Sequence, residues 1–243
     1  MGSENQTAVV VGGSSGIGLA TVRRLASKGW RVIAIGRDQS KLAGAIDGLG
    51  ERVSGETIDA GDRAALDRFF STLEGLDHLV LTASSGEGGG EFKTLDLMSL
   101  RRGFEAKFWP QMQAAQASLG ALSEGSGITF VTAISARIAN PGVAGLGAIN
   151  GAINGAIEAM IGTLARELAP VRVNAVSPGV IDTPWWDGFP PEAKAEIFRQ
   201  QAATLPVGRV GAADDIAHAV QFLVENSFVT GTVIECDGGL RLI

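Results

Sequence analysis

Tyrosine is absent from the 243 residues, cysteine occurs once and histidine twice. Without tyrosine, no mechanism that needs a phenol as acid or base is available. One cysteine, Cys236, and two histidines, His78 and His218, cannot build a His-rich or Cys-rich metal site, so no metal is expected. A lone thiol cannot close an internal disulfide either, which points to a reducing compartment. Basic runs are missing: 20 Lys+Arg stand against 26 Asp+Glu, for a net charge of −6 and a pI near 5.0. A nucleic-acid surface needs clustered positive charge to displace counterions, so no such partner is expected. Long apolar runs are missing as well. The most apolar window, Gly145 to Ala165, is broken by Asn150, Asn154 and Glu158 and reads as a buried helix rather than a membrane span. Residues Met1 to Gln6 lack the basic and apolar stretches of a signal peptide and are expected to be flexible. The expectation is a cytoplasmic protein with no membrane partner.

Glycine is what the chain has in excess: 34 residues, about twice the usual share of roughly 7%. Short apolar runs alternate with segments of helical period from end to end. The strands expected are Thr7–Gly12, Arg31–Gly36, Val53–Ile58, His78–Ala83, Gly127–Ala133, Val171–Ser177 and Thr232–Asp237. Most are apolar on both faces, as parallel strands covered by helices on each side should be. Helices are expected over Leu19–Ser27, over Asp62–Leu73 (Leu66, Phe69, Phe70 and Leu73 on one stripe) and over Ala212–Asn226, where Asp214 and Asp215 favour the first turn. This βα alternation without a long linker predicts one doubly wound α/β domain over residues 1–243, with helices on both faces of a parallel sheet. The echo Gly-Ala-Ile-Asn at 147–150 and 151–154 sets small residues along one helix face, where another helix would pack closely.

The first strand runs into Gly12-Gly13-Ser14-Ser15-Gly16-Ile17-Gly18 and then a helix. Glycines at 12, 16 and 18 let the chain turn tightly and let a pyrophosphate approach the backbone, where the helix amides and dipole meet its charge. A glycine triplet alone is weak evidence; following the first strand and opening a helix, it predicts a dinucleotide site. An acid at the end of strand two would hold the adenine-ribose 2′-hydroxyl. Here Gly36 takes that place and Arg37, suited to a 2′-phosphate, comes next. Asp38 lies about 20 residues past Gly18, the usual spacing of the ribose acid. NADP(H) is therefore favoured over NAD(H), which stays open.

These residues resemble the short-chain dehydrogenase/reductase family over nearly the full length. The spacing Gly12-x-x-x-Gly16-x-Gly18 is that family's form of the turn, and Asp59-Ala60 is similar to its adenine-contacting pair. Leu168 to Gly179, containing Arg172-Val173-Asn174-Ala175-Val176-Ser177-Pro178-Gly179, matches its sixth strand closely. Val180-Ile181-Asp182-Thr183 is similar to its nicotinamide-side turn, which implies that the Ile181 backbone and Thr183 hold the carboxamide and phosphate. Ala83 and Ser84 stand in its motif after strand four, beside the cofactor. The resemblance implies a seven-stranded parallel sheet and a homotetramer or homodimer.

The resemblance breaks at the acid–base motifs. The family's Tyr-x-x-x-Lys falls on Asn150 and Asn154, and its helix asparagine falls on Lys107. An amide side chain cannot trade a proton near neutral pH, so Asn150 cannot be a general acid, while Asn154 can still bond nicotinamide-ribose hydroxyls. Lys107 is the ionisable replacement among these positions, and a desolvated lysine can titrate near neutrality. Ala133 aligns with the family's serine; Ser135 or Thr132 would supply a hydroxyl if the loop shifts. Arg137 is placed to hold an anionic substrate, and Trp185 and Trp186 open a lid region over about residues 184–206 that suits a flat or apolar small-molecule ligand. Glu87, in the loop after strand four, is a weaker acid candidate; His78 and His218 are given no role. The reading is an NADP(H)-dependent oxidoreductase of a small carbonyl or alcohol with a non-standard proton relay. Alternatives are a non-redox cyclase, dehydratase or isomerase, or a silent dinucleotide-binding protein on the same scaffold.

Overall fold

The computed structural model describes residues 6–83, 87–133 and 142–243, and the fold is read from these. In chain order they form β1 (Thr7–Val11), α1 (Gly16–Ser27), β2 (Arg31–Gly36), α2 (Gln39–Ile46), β3 (Val53–Thr57), α3 (Arg63–Phe70), β4 (Leu76–Leu81) and α4 (Leu97–Ser118). There follow β5 (Leu122–Val131), α5 (Ala144–Glu167), β6 (Arg172–Pro178), β7 (Ile181–Asp182), α6 (Pro191–Thr204), β8 (Gly211–Ala212), α7 (Ala213–Glu225) and β9 (Val233–Cys236). Seven strands make one parallel sheet in the order β3-β2-β1-β4-β5-β6-β9, and β7 pairs with β8 beside it. The doubly wound α/β fold expected from the sequence is present.

Alternation along each strand builds a core on both faces. Val9 and Val11 of β1 face the same layer as Ile33, Ile35, Leu79 and Leu81, and pack against Leu66 and Phe70 of α3 and Ile149, Ile153, Ile157 and Ile161 of α5. Ala8 and Val10 point the other way, with Val32, Ala34 and Val80, onto Val22 and Leu25 of α1 and Ile216, Val220 and Leu223 of α7. Such strands carry no polar face because neither face meets water. The edge strands differ: Ser54 to Thr57 of β3 are exposed, and β9 is only partly buried. Side-chain caps fix the helix starts. Asp38 accepts from the Lys41 amide, Asp62 from Ala65, and Asp96 from Met98 and Ser99. Arg172, at the start of β6, donates to the carbonyls of Leu223, Val224 and Val229 and so closes the far end of α7.

Several boundaries move. Helix α1 starts at Gly16, three residues before the expected Leu19, because the phosphate turn passes directly into it. Helix α3 stops at Phe70 rather than Leu73. Strand β5 starts at Leu122, five residues before Gly127, since Leu122 pairs with the fully buried Leu76. Along α5 a side-chain carbon at Gly147, Gly155 or Gly162 would meet nothing within 4 Å, so among the described residues no helix packs closely on the face there. Residues 1–5 of the expected flexible N-terminus lie outside the described residues.

His78 sits inside β4, fully buried, with Nε2 2.8 Å from the Thr129 hydroxyl oxygen. Burial, and then the nearby Arg172 charge, lower its pKa from 6.5 to about 3. Between those values the unfolded chain binds the proton and the folded chain does not. This stabilisation is therefore complete above pH 6.5 and is lost as pH falls toward 3, by up to about 5 kcal/mol. Urea unfolding across this range should show stability rising with pH, and His78→Leu should flatten that slope whatever its effect on absolute stability.

Candidate functional site

The site is organised where the strand order reverses, between β1 and β4, from which the chain winds outward to β2 and β3 on one side and to β5 and β6 on the other. Beyond Val11 the chain bends: the amides of Gly12 and Gly13 both donate to the Ile35 carbonyl, at 2.9 and 3.0 Å. From β4, the Thr82 amide and hydroxyl both donate to the Val11 carbonyl, at 2.9 and 2.8 Å. No side chain fits in the corner they make. A side-chain carbon at Gly18 would lie 2.1 Å from the Gly12 carbonyl oxygen and 2.6 Å from Thr82 Oγ1. Gly16 takes φ +52°, in the left-handed region. Ser15, the residue before α1, caps nothing with its side chain, and the first turn holds no acid. The amides of Gly16, Ile17 and Gly18 are thus left to a ligand of negative charge, and this donor-only cradle fits a pyrophosphate.

The adenine side is equally specific. Ser14 packs on the end of β2, where a side-chain carbon at Gly36 would meet its hydroxyl oxygen at 3.3 Å. Arg37 is exposed and bonds no residue among those described, whereas Asp38 uses its Oδ1 to cap α2 at 2.8 Å. Asp59 holds its own turn through the Gly61 amide, beside the buried Ala60.

On the nicotinamide side, Gly179 lies against the Asp237 backbone, 2.7 Å from its carbonyl oxygen to a would-be side-chain carbon. Pro178 precedes it at the end of β6. Thr183 lies over the phosphate turn, its Cβ 3.4 Å from a carbon placed on Gly16. The Ile181 carbonyl accepts from Trp186 Nε1 at 3.0 Å. Trp186 also packs with Val180, Leu205, Leu240, Phe198 and Val210. It therefore anchors the segment after β7, while Trp185, edge-on to it at 4.9 Å, is 37% exposed. Lys194 of α6 pairs with Asp182 of β7, at 2.8 Å.

Three of the four proposed acid–base residues are described. Lys107, 6% exposed on α4, donates from Nζ to Asn150 Oδ1 on α5 at 2.5 Å. Burial lowers its pKa from 10.5 to about 8. One turn on from Asn150, Asn154 accepts the Ala133 amide at the end of β5, at 2.8 Å. Thr132 is buried with its hydroxyl toward the Val176 carbonyl, 3.4 Å away. Ser84, Ser135 and Arg137 lie outside the described residues. Glu87 bonds Ser99 and Arg102 on α4, as a structural acid does. The exposed His218 sits on α7.

Two contributors were not singled out from sequence. Thr82 closes the cradle. Gln111, fully buried one turn after Lys107, places Nε2 3.3 Å from both the Ala83 and Lys107 carbonyls and so ties α4 to the end of β4. Its spacing of four from Lys107 was the available signal. A cavity of about 400 Å³ at the opposite end of the sheet touches Trp30, Asp77, Ser126 and Arg172. The Trp30, Ser126 and Arg172 donors there are sealed from solvent. The glycine cradle with Thr183 over it, and the Lys107–Asn150 pair, lie at the other, carboxyl ends of the strands.

A doubly wound sheet with this cradle defines a dinucleotide-binding protein. Residues 11–241 match the family described as Enoyl-(Acyl carrier protein) reductase. The cis-4-hydroxycyclohexanecarboxylate dehydrogenase of Sinomonas cyclohexanicum is 31% identical over 98% of this chain and 97% of its own. A small-chain dehydrogenase solved in complex with NADPH is 32% identical, with a TM-score of 0.80 over 98% of this chain and 99% of that one. BdcA, also solved with NADPH, is 26% identical with a TM-score of 0.82, over 96% and 93%. The chain belongs to the short-chain dehydrogenase/reductase family, a family of oxidoreductases.

Gly18→Ala forces the cradle apart. It should lower stability by about 1–3 kcal/mol, as overpacking does, and abolish protection by added dinucleotide in a thermal-shift assay.

Proposed function

We propose that this protein is an NADP(H)-dependent oxidoreductase that acts on a small carbonyl or alcohol substrate, with proton handling centred on Lys107. The carrying observation is the division of labour after β2: Asp38 caps α2, while the adjacent Arg37 guanidinium is exposed. That arrangement suits a 2′-phosphate, which a bare ribose acid would repel. The neighbours solved with NADPH agree with it.

In this reading Gly12, Ser14, Ser15, Gly16, Ile17 and Gly18 hold the pyrophosphate, Asp59 and Ala60 border the adenine, and Ala83 and Ser84 flank the cofactor. Pro178, Gly179, Ile181 and Thr183 hold the carboxamide side, with Asn154 at the nicotinamide ribose. Bound reduced nicotinamide supplies hydride. What the chain adds is placement, exclusion of water and charge: Lys107, protonated near neutral pH, is the ionisable group of the site. Trp185 meets the substrate, and Ser135 and Arg137 belong to the substrate side.

The protein is a homo-oligomer in this proposal, a tetramer or dimer. Support comes from the uncovered small-residue face of α5 and from Leu97, Met98 and Trp109, all more than half exposed on α4. Light scattering should give a mass at least twice 25.0 kDa; a monomer would remove the assembly claim. For the cofactor, NADPH should raise the unfolding temperature more than NADH, and Arg37→Glu should abolish or reverse the preference. Equal protection of the wild type by both would end the NADP(H) assignment.

A further inference from the structure

We propose that Lys107 is the subsite for a carboxylate on the substrate, so that the carbonyl or alcohol served here belongs to an oxo acid or a hydroxy acid. The proposal rests on the oxidoreductase reading above and specifies its substrate class.

The ammonium is buried without a counter-ion. Lys107 is 6% exposed and spends one of its three N–H groups on the Asn150 side-chain oxygen. Among the described residues no carboxylate pairs with it, and those on the surrounding elements are placed elsewhere. On α4, Glu105 pairs with Arg101. Glu87 bonds Ser99 and Arg102, more than one turn before Lys107. On α3, Asp67 pairs with Arg63, which also reaches Gln116, more than two turns past Lys107. Glu158 on α5 is exposed two turns beyond Asn150, and the neutral His78 lies near the other end of β4. Residues 84–86 and 134–141 contain no Asp or Glu, and their one cation is Arg137. Close contacts hold Lys107 where it is. One turn after it, Gln111 ties α4 to the Ala83 carbonyl; one turn before it, a side-chain carbon at Gly103 would lie 2.5 Å from Ile149 of α5.

Taking an ammonium out of water is costly, and one amide dipole offsets only part of that cost. Burial accordingly lowers the Lys107 pKa to about 8, with no opposite charge to hold it up. A permanent anion on the ligand restores the balance through Coulomb attraction and a charge-assisted hydrogen bond. A neutral ligand leaves the cost in place, and a cationic one adds to it. In the reading above the cofactor phosphates belong to the glycine turn at the start of α1, whereas Lys107 is tied to the end of β4 and to α5. In reduction, the carbonyl carbon takes hydride from NADPH to form a C–H bond and the π pair moves to oxygen. That oxygen takes a proton from Lys107, which regains one from water, and NADP⁺ remains. The carboxylate is unchanged by the reaction, so Lys107 keeps its counter-ion throughout.

The binding test is calorimetry of benzoate against benzamide, added to the protein with NADPH in buffers of different ionisation enthalpy. At pH 7 benzoate should bind about 10- to 100-fold more tightly than benzamide, the worth of a hydrogen bond to a charged group. At pH 9 its binding should take up close to one proton, because the carboxylate raises the Lys107 pKa again. Its affinity should fall about tenfold per pH unit above pH 8. Lys107→Met should bring benzoate to the affinity of benzamide. Lys107→Arg should keep the preference for benzoate, with no proton uptake and no alkaline fall. In turnover with NADPH, phenylglyoxylate and 4-acetylbenzoate, each against its methyl ester, report a carboxylate near to and far from the carbonyl. One acid should exceed its ester in kcat/KM, and Lys107→Met should remove that preference whatever its effect on kcat. Equal affinity for acid and amide, binding of neither, preference for neither acid over its ester, or proton uptake that persists in Lys107→Arg overturns the proposal. So does uptake of the same proton on binding of NADPH alone, which makes the cofactor phosphates the counter-ion. Protection by NADPH against unfolding separates the two readings: where it persists without a preference for acids, only the substrate class falls, and where it is absent the oxidoreductase reading falls as well.

Discussion

The close contact between the ends of β1 and β4 sets the geometry of the whole mouth of the sheet. Thr82 delivers both its amide and its hydroxyl to the Val11 carbonyl, and this fixes how far apart the two strands end. The remaining space admits hydrogen but not carbon at Gly18, so the turn must be glycine and α1 must begin at Gly16. From there the amide-lined start of α1 lies under Thr183, and one residue past Thr82 the Ala83 carbonyl receives Gln111, which carries Lys107 on the same helix. Both the glycine cradle and the Lys107–Asn150 pair are thus referenced to one pair of strand ends.

Desolvation then gives two buried bases opposite fates. His78 is locked between β4 and β5, where burial and the Arg172 charge act together and hold the ring neutral. Lys107 is buried at the mouth, facing an amide oxygen, and burial alone leaves it protonated at neutral pH but close to titration. The same physical cost makes one a determinant of acid stability and brings the other within reach of titration near pH 8. The difference lies chiefly in the starting values, 6.5 for the imidazole and 10.5 for the ammonium, with the Arg172 charge adding to the fall of the first.

Much of this was legible in the residues themselves. The apolar strands, the first-turn acids Asp214 and Asp215 and the glycine turn each announce a local structure, because each follows from backbone geometry, the helix dipole or which face meets water. The resemblance placed Lys107, Asn150 and Asn154 near one another. Less legible was which side chains were already engaged. Arg37 and Asp38 are adjacent and either suited the ribose end, until the α2 cap claimed the aspartate. Trp185 and Trp186 looked alike, yet Trp186 packs against the Val180, Leu205 and Leu240 cluster while Trp185 is exposed. The glycine-rich face of α5 promised helix packing that the described residues do not supply.

By itself the sequence determined the class of fold, the place of the dinucleotide turn and the absence of a phenol from the acid–base position, since pattern, spacing and composition are properties of the chain alone. Only the tertiary structure decided the direction in which each polar group points. Lys107 and Asn150 are 43 residues apart on different helices, and their hydrogen bond exists because α4 and α5 pack over the same strand ends. A donor's partner depends on which groups meet in space and which are already bonded. That competition is settled when the layers close.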